Sequence, residues 1–478
     1  MKITINNLGP INLFEFDLNK DLNLIFGKNN IGKSYAMSAI YLIVKNIINK
    51  NWRVNVFVAH LIELIDTKHF KEYEENSALF EEVDRLNKSI IANINKKEEQ
   101  FDITKNVGKV FEKLIEYNIK EDLEKSFKNS FLSIDALKNE MNDEKFSIRV
   151  ELKGFCFSIV IINSKLGIDN FKLNKKVIIK QSKINRIIKN SNGFTIHYNK
   201  KQKGFEIRLF KNIMNSIIYI WYDETLRYNK DKINNIYFLP ASRSGLYNAF
   251  NSYASSIAEL SKSRNFFEQG LQLPTLSTPV LDYFLHLANI KAEVKDNEYK
   301  DILLTLEENI LDGKVLFNEQ NKKLSFKPNN MSKELDLSFT SSMVSELAPL
   351  AAFLKYIIGK NKKALIFIEE PEAHLHPDVQ IKITELFAKL ADYGIKIIIS
   401  THSSYIFGKI NNLILEKKID YKKTGSYLMD MTEKGSVINN NMIAAPDGIT
   451  DENFVDTAEK LYNERTAIYE RLNEDADK

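Results

Sequence analysis

One stretch of eight residues near the amino terminus constrains the fold of this 478-residue chain more than any other feature. Residues 27–34, GKNNIGKS, match the pattern G-x-x-x-x-G-K-[ST], whose glycines let the backbone curl so that successive N–H groups point at phosphate oxygens. The context fits, because the apolar run Leu22 to Phe26 predicts a buried strand and Asn30 to Asn49 predicts a helix. An accidental Gly-Lys turn would explain the letters but not these flanking elements. The stretch therefore predicts a nucleotide-binding loop.

The residues of this loop have separate expected roles. Lys33 is expected to reach the β- and γ-phosphates of a nucleotide, and the Ser34 hydroxyl to ligate Mg²⁺. The amino terminus of the following helix adds partial positive charge. The expected nucleotide contacts are Gly27, Asn29, Asn30, Ile31, Gly32, Lys33, Ser34 and Tyr35.

A second strand is expected to deliver two carboxylates to the same place. The run Ala364 to Ile368 predicts a buried strand, and Glu369 and Glu370 come directly after it. At a strand tip beside the phosphate loop, Glu369 would hold the metal or its water shell and Glu370 would accept the proton of an attacking water. Two solvated acids at a strand end are the alternative, and the segment 371–377, PEAHLHP, argues against it.

Histidines near these acids allow two kinds of chemistry. His374 and His376 could ligate a metal, although a third and fourth ligand are not evident. The strand predicted at Lys396 to Ser400 leads to His402, whose neutral imidazole can contact a γ-phosphate and report its loss. A helix-capping Ser-Thr-His turn also fits those residues. It leaves unexplained why three strand ends carry nucleotide chemistry, and ligands of open α/β sheets bind outside the carboxyl ends of strands.

Two polar segments give weaker signals. Arg243 comes after the strand predicted at Ile236 to Leu239 and is expected to pair with a phosphate or with an acid at a subunit interface; a surface arginine is the alternative. Ser342 ends a hydroxyl-rich segment and begins a helix predicted over Ser342 to Ile358. Taken alone, that segment is an ordinary helix cap in which Glu346 is the capping acid.

The order of elements predicts an α/β fold with a mixed, largely parallel sheet and flanking helices. Charged helices from about 52 to 145, then strands from about 146 to 210, suggest an inserted α+β subdomain; the last of these strands is predicted at Phe205 to Phe210. A charged terminal helix is predicted at Leu461 to Leu472. The expected divisions are an amino-terminal head lobe at 1–50, the inserted subdomain at 51–232, a carboxyl-terminal head lobe at 233–450 and a charged helix at 451–478.

The composition limits the class of protein and its expected location in the cell. An apolar content of 44% with 30 Phe and 20 Tyr excludes a disordered chain. No apolar run approaches the ~18 residues of a membrane span, and Met1 to Phe14 lacks the features of a signal peptide. Cys156 is the single cysteine, which excludes an intrachain disulfide. We therefore expect a cytoplasmic protein without membrane contact.

The net charge of +4 conceals a basic segment. Residues 165–211 contain 13 Lys or Arg but only two acids, Asp169 and Glu206. A solvated lysine-rich surface is one interpretation. The other is contact with nucleic acid or with an acidic protein, in which attraction to negative charge supplies affinity without sequence specificity.

The motifs above resemble, in the same order, those of the ABC-type ATPase heads of the SMC, Rad-fifty and RecF superfamily, most closely the ATPases of the overcoming-lysogenisation-defect (OLD) kind. The resemblance covers roughly 1–50 and 233–417, and its most specific piece is the segment 369–377, EEPEAHLHP. ATPase subunits of the Septu and PARIS anti-phage systems look similar. The resemblance implies an ABC-type P-loop ATPase head that uses ATP and Mg²⁺.

The same resemblance implies a homodimer in which two heads sandwich two ATP molecules. Ser342 would cap the γ-phosphate held by the opposite protomer, Glu370 would be the catalytic base and His402 the switch histidine. The segment 373–376 would lie at the dimer seam. Met343 stands where the family usually has glycine. A side chain at a close approach of backbone to phosphate predicts slow hydrolysis or a static clamp.

These features lead to two hypotheses of function. The first is a sensor and scaffold of a bacterial anti-phage defence system that controls a separate effector, a nuclease or toxin; the second is a RecF-like DNA-repair clamp without effector. OLD nucleases add a Toprim domain that needs an Asp-x-Asp pair, and the nearest pair, Asp475 to Asp477, lies in the tail, so we expect no fused nuclease. An ABC transporter motor is excluded because no LSGGQ-like stretch occurs and Ser34 is very far from Glu369 in sequence.

Overall fold

The fold is seen in a computed structural model that describes residues 1–49, 77–231, 233, 235–249, 276–291, 299–320, 322–358, 363–439, 443–450, 460 and 462–469. Residues 462–469 are helical, inside the predicted terminal helix. The remainder of that predicted helix, the start of the predicted helical block and the pair Asp475 to Asp477 lie outside the described residues.

Twenty strands are found in the described part of the chain. They are β1 Lys2–Leu8, β2 Ile11–Asp17, β3 Leu22–Gly27, β4 Gln100–Asp102, β5 Ser147–Glu151, β6 Phe155–Ile162, β7 Lys165–Leu173, β8 Lys176–Gln181, β9 Arg186–Asn190, β10 Gly193–Tyr198, β11 Asn235–Leu239, β12 Gly313–Asn318, β13 Lys323–Pro328, β14 Leu335–Asp336, β15 Ala364–Glu369, β16 Lys396–Thr401, β17 Thr424–Thr432, β18 Gly435–Asn439, β19 Ala444–Ala445 and β20 Gly448–Ile449.

Helices connect and cover these strands. They are α1 Lys33–Asn49, α2 Ser77–Asn95, α3 Thr104–Phe131, α4 Phe205–Asp231, α5 Thr278–Ala288, α6 Lys300–Leu304, α7 Ser342–Ala352, α8 Pro377–Asp392 and α9 Ser404–Leu415. Wider, π-helical turns at Thr305–Ile310 and Phe353–Ile358 extend α6 and α7. Among the described helices, none is both long and apolar enough to cross a membrane.

Eleven strands form the main sheet, in the order β11-β15-β16-β3-β17-β18-β2-β1-β5-β6-β7. The first five strands in this order are all parallel to one another. Side chains of β15 point alternately into two cores, with Phe367 in the core beside α1 and Ile366 in the core beside α8. Strands covered on both faces have near-continuous apolar sequences, which is why the runs that end at residues 26, 368 and 399 were recognisable.

The other half of the main sheet is mostly antiparallel, so the sheet as a whole is mixed. The wholly parallel part consists of the strands β11, β15, β16, β3 and β17. β5 pairs with β1 and continues through β6 to β7. The strands of the predicted inserted subdomain are therefore divided between two sheets. β5–β7 extend the main sheet, and β8, β9 and β10 form a small sheet with β4, in the order β4-β8-β10-β9.

The strand predicted at Phe205 to Phe210 is wrong, because these residues form the first turns of α4. Apolar side chains at 205, 207 and 209 alternate as in a strand, yet Ile207 is 39% exposed. Burial falls instead at Leu209, Ile213 and Ile217, a helical spacing. The strands β7 and β9 were not predicted, since their mixture of lysine, asparagine and isoleucine gives no alternation strong enough to identify.

Candidate functional site

The carboxyl ends of three neighbouring parallel strands meet at one edge of the main sheet. Glu369 at the end of β15 is in register with Ser400 of β16, which is in register with Ile25 of β3. The strand that leads to His402 lies between the strand of the acids and the strand of the phosphate loop, whereas the sequence had placed the acids directly beside that loop. All three strand ends still share the edge at which open α/β sheets bind ligands.

The phosphate loop turns sharply between β3 and α1. Gly27 and Gly32 have φ angles of +143° and +95°, and Asn30 between them has φ +63°. A Cβ on Gly27 would lie 2.1 Å from Ile31 Cδ1, and a Cβ on Gly32 would lie 2.9 Å from Pro10 Cγ. Both positions therefore require glycine, because the backbone has a positive φ and a Cβ would clash. Of the other predicted loop contacts, Ile31 is buried against Gly27, and Asn29 and Asn30 are exposed.

Lys33 is held inside the loop. Its Nζ donates to the carbonyl oxygens of Gly27 at 2.8 Å and of Lys28 at 2.7 Å, and the residue is 7% exposed. Burial lowers the pKa of Lys33, and the negative charges of Glu370 and Glu372 oppose that shift. The structure therefore brings Lys33 close enough to Glu370, the predicted base, and to Glu372 for their charges to interact.

Glu369 lies at the end of β15, beside the phosphate loop. The Ser34 hydroxyl and the Ala241 backbone N–H are near its carboxylate and favour its ionised form, which lowers its pKa. Burial nonetheless raises its pKa from the ordinary 4.5 to about 7. Within the described part of the chain, Glu369 Oε1 is buried and has no hydrogen-bond partner. An orphaned carboxylate oxygen beside a serine hydroxyl is the donor set that a hard divalent cation prefers.

Glu370 lies where the chain leaves the strand in a strained conformation. Its φ is +42°, a left-handed value that costs a non-glycine residue of the order of 1 kcal/mol. Three contacts hold it: its N–H donates to Ser400 O at 2.9 Å, and its carbonyl accepts from Ala373 N at 3.1 Å and from Arg243 Nη2 at 3.4 Å. Backbone strain fixed from several sides is typical of a functional position.

The sequence assigned no role to Glu372, which positions His402. The Glu372 side chain is 6% exposed, and its Oε1 accepts from Thr401 Oγ1 and from His402 N, both at 2.8 Å. His402 Nδ1 lies 3.3 Å from the same oxygen, on a side chain that is 45% exposed. The signal in the sequence was a third glutamate two residues after the pair, on the segment 371–377.

Arg243 is not a surface arginine. It is 2% exposed and donates to the carbonyl oxygens of Pro240, Glu369 and Glu346 at 3.2, 2.9 and 3.3 Å. Its Nη2 lies 3.6 Å from Glu346 Oε2 in an ion pair. The guanidinium thus joins the ends of β11 and β15 to α7, and its contact with a phosphate or with an interface acid stays a prediction.

The predicted capping role of Glu346 is wrong. Ser341 caps α7, accepting from Val344 N, while Glu346 is fully buried and accepts from Ser244 Oγ at 2.6 Å. Ser342 is exposed at the first turn of α7, and the neighbouring Met343 packs partly into the core. The contact of Ser342 with a nucleotide stays a prediction.

Three other predicted residues lie at the margin of the site. The Tyr35 ring is 38% exposed and packs against Phe131, with ring centroids 5.1 Å apart. His374 and His376 are both exposed, and His376 caps α8. Across the described ranges, no group of three or more His, Cys, Asp or Glu side chains is arranged to hold a metal ion, so the histidine metal site finds no support.

These features define a P-loop nucleotide-binding site, and the comparison with known families agrees. The chain belongs to the AAA ATPase domain family, whose profile matches residues 1–407. No curated protein matches the sequence.

Two solved structures to which the chain is similar are SMC heads. One is the SMC head domain from Thermotoga maritima, 10% identical, with a TM-score of 0.34, covering 92% of this chain and 97% of that chain. The other is a structure of SmcHead bound to the C-winged helix domain of ScpA, 11% identical, with a TM-score of 0.35, covering 92% of this chain and 96% of that chain. The family assignment rests on the profile and on the geometry of the loop.

Proposed function

We propose that the protein is a cytoplasmic ATPase that binds ATP in the phosphate loop and hydrolyses it with Glu370 as the general base. The observation that carries the proposal is the buried Glu369 Oε1, which has no hydrogen-bond partner in the described part of the chain and lies at the strand end beside Ser34 of the loop. Ser34 and Glu369 would hold Mg²⁺, which, when bound, neutralises charge on phosphate oxygens.

The chain's own residues have distinct roles in this reaction. Lys33 is proposed to turn from the loop carbonyls to the phosphates. Glu370 accepts the proton as a water oxygen bonds to the γ-phosphorus and the bond to the β-phosphate oxygen breaks, which gives ADP and phosphate. His402, held by Glu372, contacts the γ-phosphate and reports its release. Arg243 positions the backbone of both acids.

We further propose that two heads form an ATP sandwich in which Ser342 of each completes the site of the other, and that the dimer is the sensor and scaffold of an anti-phage system with a separate effector, a nuclease or toxin. The exposure of Ser342 at the start of α7 supports the first part. The resemblance of the motifs to those of OLD-like, Septu and PARIS ATPases supports the second.

Phosphate release from ATP by the purified chain, with and without Mg²⁺, tests the ATPase. A rate above background that Mg²⁺ stimulates supports it, and no turnover together with no ATP binding would overturn it. Co-purification from the native host tests the wider role, where a stoichiometric nuclease or toxin is the expected result. The basic segment 165–211 favours the second candidate, a RecF-like DNA-repair clamp, and isolation of the protein without an effector would support that function instead.

A further inference from the structure

The basic side chains of the segment 165–211 are almost all exposed. Twelve of its 13 Lys and Arg residues are exposed, and Lys175 is half-buried. Asp169 and Glu206 are its two acids, also exposed. Like charges at this density repel one another, so the arrangement is unfavourable until an anion neutralises it.

The small sheet gathers part of this charge at one of its ends. β8 and β10 are parallel and β9 is antiparallel to β10, so the carboxyl ends of β8 and β10 lie beside the start of β9. Seven basic residues lie at this end, and we call them the basic end: Lys180, Lys183, Arg186, Lys200, Lys201, Lys203 and Arg208. In the described part of the chain, ion pairs engage none of these seven side chains.

Hydrogen bonds fix the two loops of the basic end to each other. Asn199 N donates to Asn185 Oδ1 and Asn199 Nδ2 donates to Lys183 O, both at 2.7 Å. Arg208 donates to Lys203 O. These hydrogen bonds restrain the loops that carry the cations, so less conformational entropy is lost when the loops bind a partner. Glu98 and Glu99 precede β4 at the same end, and with Glu206 they make three nearby acids against seven bases.

His197 supplies an independent sign of an anion. In the sheet register it lies between Lys180 and Arg186, so the three side chains share one face. The histidine is 8% exposed, yet its Nδ1 has no hydrogen-bond partner in the described structure. Burial lowers its pKa, and the two neighbouring cations lower it further. A phosphate oxygen between the cations would offset their effect on the pKa of His197, and it would accept a hydrogen bond from the protonated Nδ1.

Side chains around the basic end identify the class of partner. Single-stranded nucleic acid is bound largely by stacking of bases on exposed aromatic rings. Here Tyr198 is 1% exposed and stacks on Phe205 at 6.0 Å, which leaves neither ring presented for stacking. A protein partner would require an apolar centre, and the exposed apolar side chains among these cations are the scattered Ile184, Ile188 and Ile207.

We propose that the basic end binds the phosphate backbone of double-stranded nucleic acid without reading its sequence. Exposed lysine and arginine side chains are the groups that contact phosphates, and contacts to phosphates position a protein on the duplex without distinguishing its bases. This interaction goes beyond the ATPase proposal and does not depend on it, since no residue of the phosphate loop or of the strand-end acids takes part.

Anisotropy of a labelled duplex of about 30 base pairs, titrated with the full-length protein across a salt series from about 50 to 200 mM, tests the proposal. Binding should weaken steeply with salt, with a slope near −0.9 for each phosphate contacted. The triple variant Lys183→Glu/Lys200→Glu/Lys201→Glu should weaken binding at least tenfold and flatten the slope. The matched control Lys314→Glu/Lys327→Glu/Lys333→Glu makes the same charge change at exposed positions of or near the β12–β13 hairpin and should change affinity less than twofold.

Equal losses in the two triple variants would overturn the site, because they would indicate only overall charge. Absence of duplex binding by the wild type at the lowest salt, or tighter binding of a single strand or of polyglutamate than of the duplex, would overturn the choice of partner. The single change Lys201→Ala, at an exposed loop position, provides a second measurement if the triple variant unfolds, and a loss of about twofold or more is expected. ATP hydrolysis should be the same in every variant without nucleic acid, which separates this result from the ATPase test.

Discussion

The guanidinium of Arg243 donates from Nη1 to the backbone carbonyl of Glu369 at 2.9 Å, from a position with 2% exposure. The same side chain reaches the carbonyl of Glu370 and forms an ion pair with Glu346 on α7. A single buried cation thus joins the strand end that carries both candidate acids to the helix that begins at Ser342. A movement of α7 would therefore shift Arg243 and, through its hydrogen bonds, the backbone of Glu369 and Glu370.

Replacement of Arg243 should therefore lower the free energy of unfolding. Arg243→Ala leaves the Glu346 charge buried without its partner, and loss of one member of a buried ion pair costs roughly 3–5 kcal/mol. The double variant Arg243→Met/Glu346→Leu removes both charges and should be less destabilised than Arg243→Ala. Urea unfolding of the parent and the variants measures this; a double variant as unstable as the sum of the two single changes would show that the pair is not coupled.

Loss of the loop lysine should abolish nucleotide binding. Lys33→Ala removes the buried ammonium that lies among the loop carbonyls and within reach of Glu370, so ATP affinity should fall at least a hundredfold. Lys28→Ala is the control, because Lys28 is in the same loop but its side chain is exposed. Titration of a fluorescent ATP analogue compares the two variants, and an equal loss in both would remove Lys33 from its assigned role.

Substitution of a loop glycine should disturb the site through the backbone. Gly32→Ala introduces a Cβ 2.9 Å from Pro10 Cγ at a φ of +95°, so the loop must shift, and ATP affinity should fall about tenfold. Gly408→Ala is the matched control: it lies inside α9 with nothing within 4 Å of its new Cβ, and it should stabilise by up to about 1 kcal/mol. If Gly32→Ala bound ATP like the parent, the close packing of this loop would not matter for function.

The raised pKa of Glu369 predicts a pH dependence of stability. Its pKa is 4.5 ordinarily and about 7 in the folded protein, so between these values the folded state keeps a proton that the unfolded state loses. The free energy of unfolding should therefore fall as pH rises from about 4.5 to 7, by roughly 3 kcal/mol for this group. Glu369→Gln removes the titration.

Unfolding of parent and Glu369→Gln without Mg²⁺ or nucleotide, at pH values from about 5 to 8, measures that effect. The variant should gain stability relative to the parent as pH rises. Identical pH profiles would mean that the Glu369 carboxyl titrates at its ordinary value. In the parent, Mg²⁺ affinity should increase as pH rises through about 7, because the cation requires the ionised carboxylate.

The strand ends of the site were predictable because each signal is local. Each of the three strands is a continuous apolar run, which specifies a buried strand. The functional residues come just beyond the end of each run: the loop glycines after the first, Glu369 and Glu370 after the second, and His402 after the third. Parallel strands then bring those ends to one edge without further information. The loop glycines were predictable for the same reason, since their positive φ angles belong to the motif itself.

Contacts between distant segments were not predictable from such signals. Arg243 meets Glu346 across more than a hundred residues, and nothing in either segment specifies the other. Glu372 was visible in the sequence, but its hold on Thr401 and His402 depends on the order of β15 and β16 in the sheet. The strand predicted at Phe205 to Phe210 was wrong for a related reason. Its residues alternate as in a strand, but packing against neighbouring elements favours a helix there.

The most direct test of the account is ATP hydrolysis by Glu370→Gln. The amide keeps the size of the side chain but cannot take the proton, so ATP binding should stay within about threefold of the parent and hydrolysis should fall a hundredfold or more, leaving ATP trapped on the protein. Glu433→Gln, at an exposed position, is the control and should leave both unchanged. Hydrolysis by Glu370→Gln at the parental rate would contradict the assignment of Glu370 as the general base.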